Sequence, residues 1–72
     1  MPNSLNHDNL HELDFRLQRV KKQIVITELK YEMAVINHKP MEILEDLNSD
    51  LENLRRKQNW FSGAISRYAS NR

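Results

Sequence analysis

His7 and His11 stand four residues apart with Glu12 beside the second, the spacing in this chain that best suits metal chemistry. On a helix such positions share a face, so two imidazoles could reach one ion. Two nitrogens do not close a coordination shell, and a pair of surface histidines is the simpler reading. No Ser-His-Asp set, glycine-rich phosphate loop or pair of carboxylates in an apolar setting is present. The acidic residues Glu42, Glu45, Asp46, Asp50 and Glu52 read as a solvated helix face. Arg55-Arg56-Lys57 could touch phosphates, but these three bases beside those five acids make a poor electrostatic footprint. No enzyme activity, cofactor, metal or nucleic-acid partner is therefore expected.

Composition points to a few long helices. The chain has 72 residues, room for one small domain, with 39% hydrophobic and 29% charged residues. One Gly and two Pro leave little material for turns, which disfavours a protein of many strands. There is no cysteine, so no disulfide or thiolate metal site can staple the fold. A net charge of +1 gives no bulk field toward a polyanion. No apolar run approaches the roughly 18 residues of a membrane span, and the first residues lack a signal-peptide core. The expectation is a cytoplasmic protein without membrane insertion.

Residues 1–7 are polar and read as a flexible leader. Asp8 or Asn9 can cap a first helix over 8–36, with Glu12 three after Asn9 in capping-box spacing. A turn over 37–39 follows, because the residue before Pro40 avoids the α region. Pro40 then suits the first position of a second helix over 40–69, where a missing N–H costs nothing. Residues 70–72 read as a frayed tail, and Gly63 weakens the last turns by about 1 kcal/mol relative to Ala. So short a connection makes the helices antiparallel neighbours. Folded back, the acidic start of each helix (Asp8, Glu12, Asp14; Glu42, Glu45, Asp46) lies beside the basic half of the other, and the order also complements both helix dipoles.

Placing residues 100° apart puts Leu10, Leu13, Leu17, Val20, Ile24, Thr27, Tyr31 and Ala34 on one stripe of the first helix. Leu44, Leu47, Leu51, Leu54, Gln58, Phe61, Ile65 and Tyr68 form the facing stripe of the second. The first helix carries another apolar stripe, Ile26, Leu29, Met33 and Ile36 with Phe15 ahead of it, along its far side. Two apolar faces imply two neighbours, and the chain supplies one. The expected fold is thus all-α, an antiparallel, coiled-coil-like two-helix hairpin completed by a partner chain or by dimerisation. Phe15, Ile26, Leu29, Met33 and Ile36 are the candidate partner-binding residues. Trp60 points away from the second helix's stripe; it suits either an interface anchor or a cover for lysine stems on the hairpin edge. Met33 and Met41 flank the turn and suit an adaptable interface or ordinary core filler.

Two resemblances follow from these residues. The Leu29-Lys30-Tyr31-Glu32-Met33 stretch, the proline-containing turn and the Leu-rich helix ending in Ile65-Ser66-Arg67-Tyr68 resemble the small helical-hairpin co-chaperones of type III secretion. In that family the hairpin pairs with a larger tetratricopeptide-repeat chaperone, and together they hold the needle subunit monomeric. The resemblance implies a chaperone-type heterodimer that stabilises a secretion-system component, with the outer stripe of the first helix as the partner surface. More locally, Asn48-Ser49-Asp50-Leu51-Glu52 resembles the Ser-Gln-Glu-Leu-Asp of sporulation aspartyl-phosphate phosphatases, with Ile26-Thr27-Glu28-Leu29-Lys30 similar to their first helix. That family would make a response regulator the partner. Asn48 stands where it has serine and Glu52 where it has aspartate, and the longer side chain misplaces the carboxylate. A homodimeric four-helix-bundle regulator is the further alternative.

Overall fold

The computed structural model describes the backbone of residues 2–70 and the side-chain surroundings of residues 10–70. Two helices, α1 (Pro2–Ile36) and α2 (Met41–Ser70), fold back on each other as an antiparallel hairpin. The Cα trace measures 54 × 15 × 14 Å. At 1.5 Å per residue the 35 residues of α1 account for that length, and the two short dimensions leave room for a single layer of paired helices.

α1 begins at Pro2, not at Asp8, so the expected leader over 1–7 is largely helical. Proline suits a first helical turn, and residues 3–7 contain neither Gly nor Pro to stop a helix already nucleated downstream. The expected cap at Asp8 or Asn9 consequently falls inside the helix. Glu12 instead binds Arg16, one turn on, at 2.9 Å. The dipole argument also fails for α1, which has no acidic residue in its first turn and no basic one in its last. It holds for α2, with Glu42 at the start and Arg67 at the end. The expected frayed tail begins too early, since Ser70 is still helical; residues 71–72 lie outside the described residues.

The turn is built from backbone hydrogen bonds. His38 N–H donates to the Val35 carbonyl at 3.1 Å, and Lys39 N–H donates to the Ala34 carbonyl at 2.9 Å. With His38 at φ 56°, this is a Schellman motif whose left-handed position is occupied by a residue other than glycine. Pro40 precedes the first helical position instead of filling it. Its carbonyl accepts from the N–H groups of Ile43 and Leu44, at 3.0 and 3.3 Å, and so opens α2.

All the stripe residues expected to meet across the helices are buried or half-buried. Leu17, Val20, Thr27 and Ala34 of α1 are buried, as are Leu51 and Ala64 of α2. Ala64 lies outside the expected heptad stripe. It stands three residues after Phe61 and four before Tyr68, so it borders that stripe, and its side chain is small enough to be covered there. Among the described residues no large side chain falls below 2% exposure, as a one-layer molecule requires. The core is a line of contacts, without a third element to close over it.

Three substitutions test this description by urea or thermal unfolding followed by circular dichroism. A Cβ at Gly63 would meet nothing nearer than Arg67 Nη1 at 4.0 Å, so Gly63→Ala should stabilise by about 0.5–1 kcal/mol. His38→Gly should stabilise by a similar amount, about 0.5–1 kcal/mol, by removing a Cβ from the left-handed position. Leu51→Ala should cost about 2–4 kcal/mol, because Leu51 is buried at the centre of the seam.

Candidate functional site

The residues left outside the seam are unusually apolar on α1. Phe15, Ile26, Leu29, Met33 and Ile36 are all exposed, between 46% and 66%. Val25, Val35 and Met41 are exposed as well, and Ile43 continues the apolar surface onto the start of α2. Isolated apolar side chains at a surface are ordinary; a contiguous group is what marks a contact site.

Ile26, Leu29 and Met33 line one shallow hollow together with Ile43 and with the seam residues Ala34 and Leu47. The second stripe therefore does not run separately along the far side of α1. Around Ile26 and Met33 it wraps one flank of the hairpin and merges with the seam, making a single apolar surface shared by both helices. Lys30, Asn37 and Lys39 rim this hollow. Ile36 lies three residues, about one turn, beyond Met33 without lining the hollow, and Phe15 is about 16 Å up the helix from Ile26. Trp60 lines different hollows, with Arg16 and Arg19 near the open end of the hairpin. The structure thus joins Ile26, Leu29 and Met33, and sets Phe15 and Trp60 apart from them.

Ile43, Val25 and Val35 carry a signal that the stripe reading passed over. Val25 stands four before Leu29 and so widens the same face. Ile43 stands four before Leu47, on the edge of the α2 heptad stripe. An apolar residue next to a stripe position widens the buried face or opens a second one, and only the position of the neighbouring helix tells which.

The opposite flank is polar. Glu28 of α1 accepts from Arg55 of α2 at 3.1 Å, the interhelical ion pair among the described residues. Tyr31, Glu32 and Asn48 line the same hollow. Of the phosphatase-like segments, Thr27 and Leu51 are buried in the seam, while Asn48, Asp50 and Glu52 are exposed. Asn48 lies with Glu28 on the polar flank. Asp50 is one heptad before Lys57, which lines the other flank, so these polar groups do not converge on one point. No group of three His, Cys, Asp or Glu side chains that could hold a metal ion occurs among the described residues; His7, one member of the candidate pair, has its side chain outside them. Every buried side-chain N or O atom among the described residues has a hydrogen-bond partner, which leaves none oriented toward a missing ligand. Among the described residues no helix is long and apolar enough to cross a membrane.

Comparison with known proteins finds no matching family model, curated protein or solved structure. The site accordingly rests on chemistry and geometry: an apolar flank near the turn, a cationic region around Trp60, and a polar flank opposite.

The Glu28–Arg55 pair is about half exposed on both sides, so water screens it. Neutralising it as Glu28→Gln should change stability by less than about 1 kcal/mol, and a double-mutant cycle with Arg55→Gln should return a coupling of about 0.5 kcal/mol. A much larger coupling would mean that this pair, not the apolar seam, sets the helix register.

Proposed function

We propose that this hairpin is a protein-binding module, acting as a chaperone-type subunit that pairs with a larger helical chaperone and keeps a secretion-system component from associating with itself. The observation that carries the reading is the apolar surface of Ile26, Leu29 and Met33, continued by Ile43 and left uncovered by the chain's own second helix. Such a surface presents anchors at helical spacing, the form in which an amphipathic helix enters a groove. A concave array of tetratricopeptide repeats would supply that groove, as the resemblance to type III co-chaperones implies.

The mechanism is masking. The exposed stripe is removed from water only in the complex, so the partner stabilises the hairpin by mass action while the hairpin covers the partner's own apolar surface. Nothing in this requires a bond to be made or broken. A rigid rod with two faces, one used in cis and one in trans, is sufficient.

Capture from the native host, with wild-type protein and with the Leu29→Glu/Met33→Glu double variant, tests the reading. The wild type should retain a tetratricopeptide-repeat protein in a complex of defined size. The double variant should bind it at least about 100-fold more weakly, or about 2.7 kcal/mol, while keeping its helical circular dichroism. Recovery of a response regulator instead would favour a phosphatase-like role. A clean homodimer whose melting temperature climbs with concentration, and which retains no other protein, would make the chain a four-helix-bundle component.

A further inference from the structure

The open end of the hairpin carries a second surface of different composition. Trp60, 59% exposed, lines two adjoining hollows there. Cations from both helices surround it: Arg16 and Arg19 from α1, Lys57 and Arg67 from α2. Glu12 is the one carboxylate lining either hollow, and it is already bound to Arg16 at 2.9 Å. The ion pairs among the described residues are Glu12–Arg16 and Glu28–Arg55, so Arg19, Lys57 and Arg67 are exposed and have no carboxylate partner among those residues. A chain of net charge +1 has concentrated positive charge around its single tryptophan.

The indole is also held in place. Its ring meets Phe61 edge-to-face, with centroids 5.1 Å apart and planes at 81°. Phe61 is half-buried in the seam, so Trp60 is braced by a seam residue while more than half of it stays exposed. Tryptophan and arginine are enriched among the residues that anchor protein interfaces.

We propose that this surface docks an acidic amphipathic helix from a partner protein, one apolar side chain resting on Trp60 and carboxylates meeting Arg16, Arg19, Lys57 and Arg67. The dimensions suit that occupant. Lys57 and Arg67 are ten residues apart, which is about 15 Å along α2 and the rise of roughly three helical turns. Toward the turn, Asp50 and Asp46 follow Lys57 on the same stripe of α2 and put negative charge in the way. An acidic segment is therefore confined to the open end. The same two aspartates oppose a nucleic-acid strand running along the rod, and one exposed aromatic is little to anchor a bilayer. A second copy fits less well: a parallel copy sets cations against cations, and an antiparallel one offers them only Asp46 and Asp50 beside the apolar flank, fewer carboxylates than cations. This surface shares no residue with Ile26, Leu29 and Met33, so it stands or falls independently of the role proposed for them.

Trp60 emission reads the binding directly, because the chain has no other tryptophan. The full chain is titrated with a Trp-free helical peptide of about four turns, with a Leu stripe flanked by Glu, and with the same peptide carrying Gln for every Glu. The Glu peptide should shift the emission saturably to the blue. The Gln peptide should bind at least tenfold more weakly, and raising ionic strength from about 0.05 to about 0.5 M should weaken the Glu peptide by at least tenfold. Arg19→Glu/Lys57→Glu should lose at least tenfold in affinity, whereas Leu29→Glu/Met33→Glu should leave it within about twofold. Should the charge-reversed variant fail to fold, Arg19→Gln/Lys57→Gln replaces it, with a loss of at least threefold expected. No saturable shift, equal binding of the two peptides, or an unchanged affinity in the charge variants would overturn the proposal. A stronger response to phosphatidylserine vesicles or to an oligonucleotide than to the Glu peptide would overturn it as well.

Discussion

A pair of helices has one seam, and that limit governs this molecule. Each helix covers one side of its neighbour and leaves the rest of its surface to water or to another molecule. The seam itself is well made: Leu17, Val20, Thr27 and Ala34 meet a facing row that includes Leu51 and Ala64, all buried. Yet no large side chain among the described residues is fully enclosed, because nothing lies above or below the contact line. Small domains without disulfides or metals commonly complete themselves by association, and the geometry here shows where that association has room to occur.

The two flanks of the seam have been put to different uses. One carries the Glu28–Arg55 ion pair with Tyr31, Glu32 and Asn48 around it, a surface that water solvates readily. The other changes character along its length, apolar near the turn and cationic around Trp60 at the open end. Apolar area supplies affinity without direction, whereas fixed charge supplies orientation and register. Under the two proposals above, a rod bearing both in tandem would take an elongated helical partner in one direction, or two short segments side by side.

The turn matters to this division because it sets the relative height of the two helices. The paired hydrogen bonds of His38 and Lys39 to Val35 and Ala34 end α1 within one residue, and the Pro40 carbonyl opens α2 directly after. That register puts Ile43 level with the Met33 end of α1 and Trp60 beside Arg16 and Arg19. A slip of one residue would rotate α2's whole pattern by about 100° and scatter both surfaces.

Much of the fold was legible in the residue pattern: two helices, a break before Pro40, and both seam stripes, since a 3.6-residue period leaves few alternatives for sixty residues with so little Gly and Pro. The start of α1 was not legible, because polar residues without a breaker are compatible with either a coil or an extended helix, and propagation from a formed helix decides. The exposed apolar residues were visible as types, and Ile26, Leu29 and Met33 as a stripe. Their union with Ile43 of α2 depended on how the two helices sit side by side, as did the gathering of Arg16, Arg19, Lys57 and Arg67 about Trp60. Periodicity along one helix fixes which residues share a face. Which faces of two different helices become one surface is settled by crossing and register, and only the packed molecule contains those.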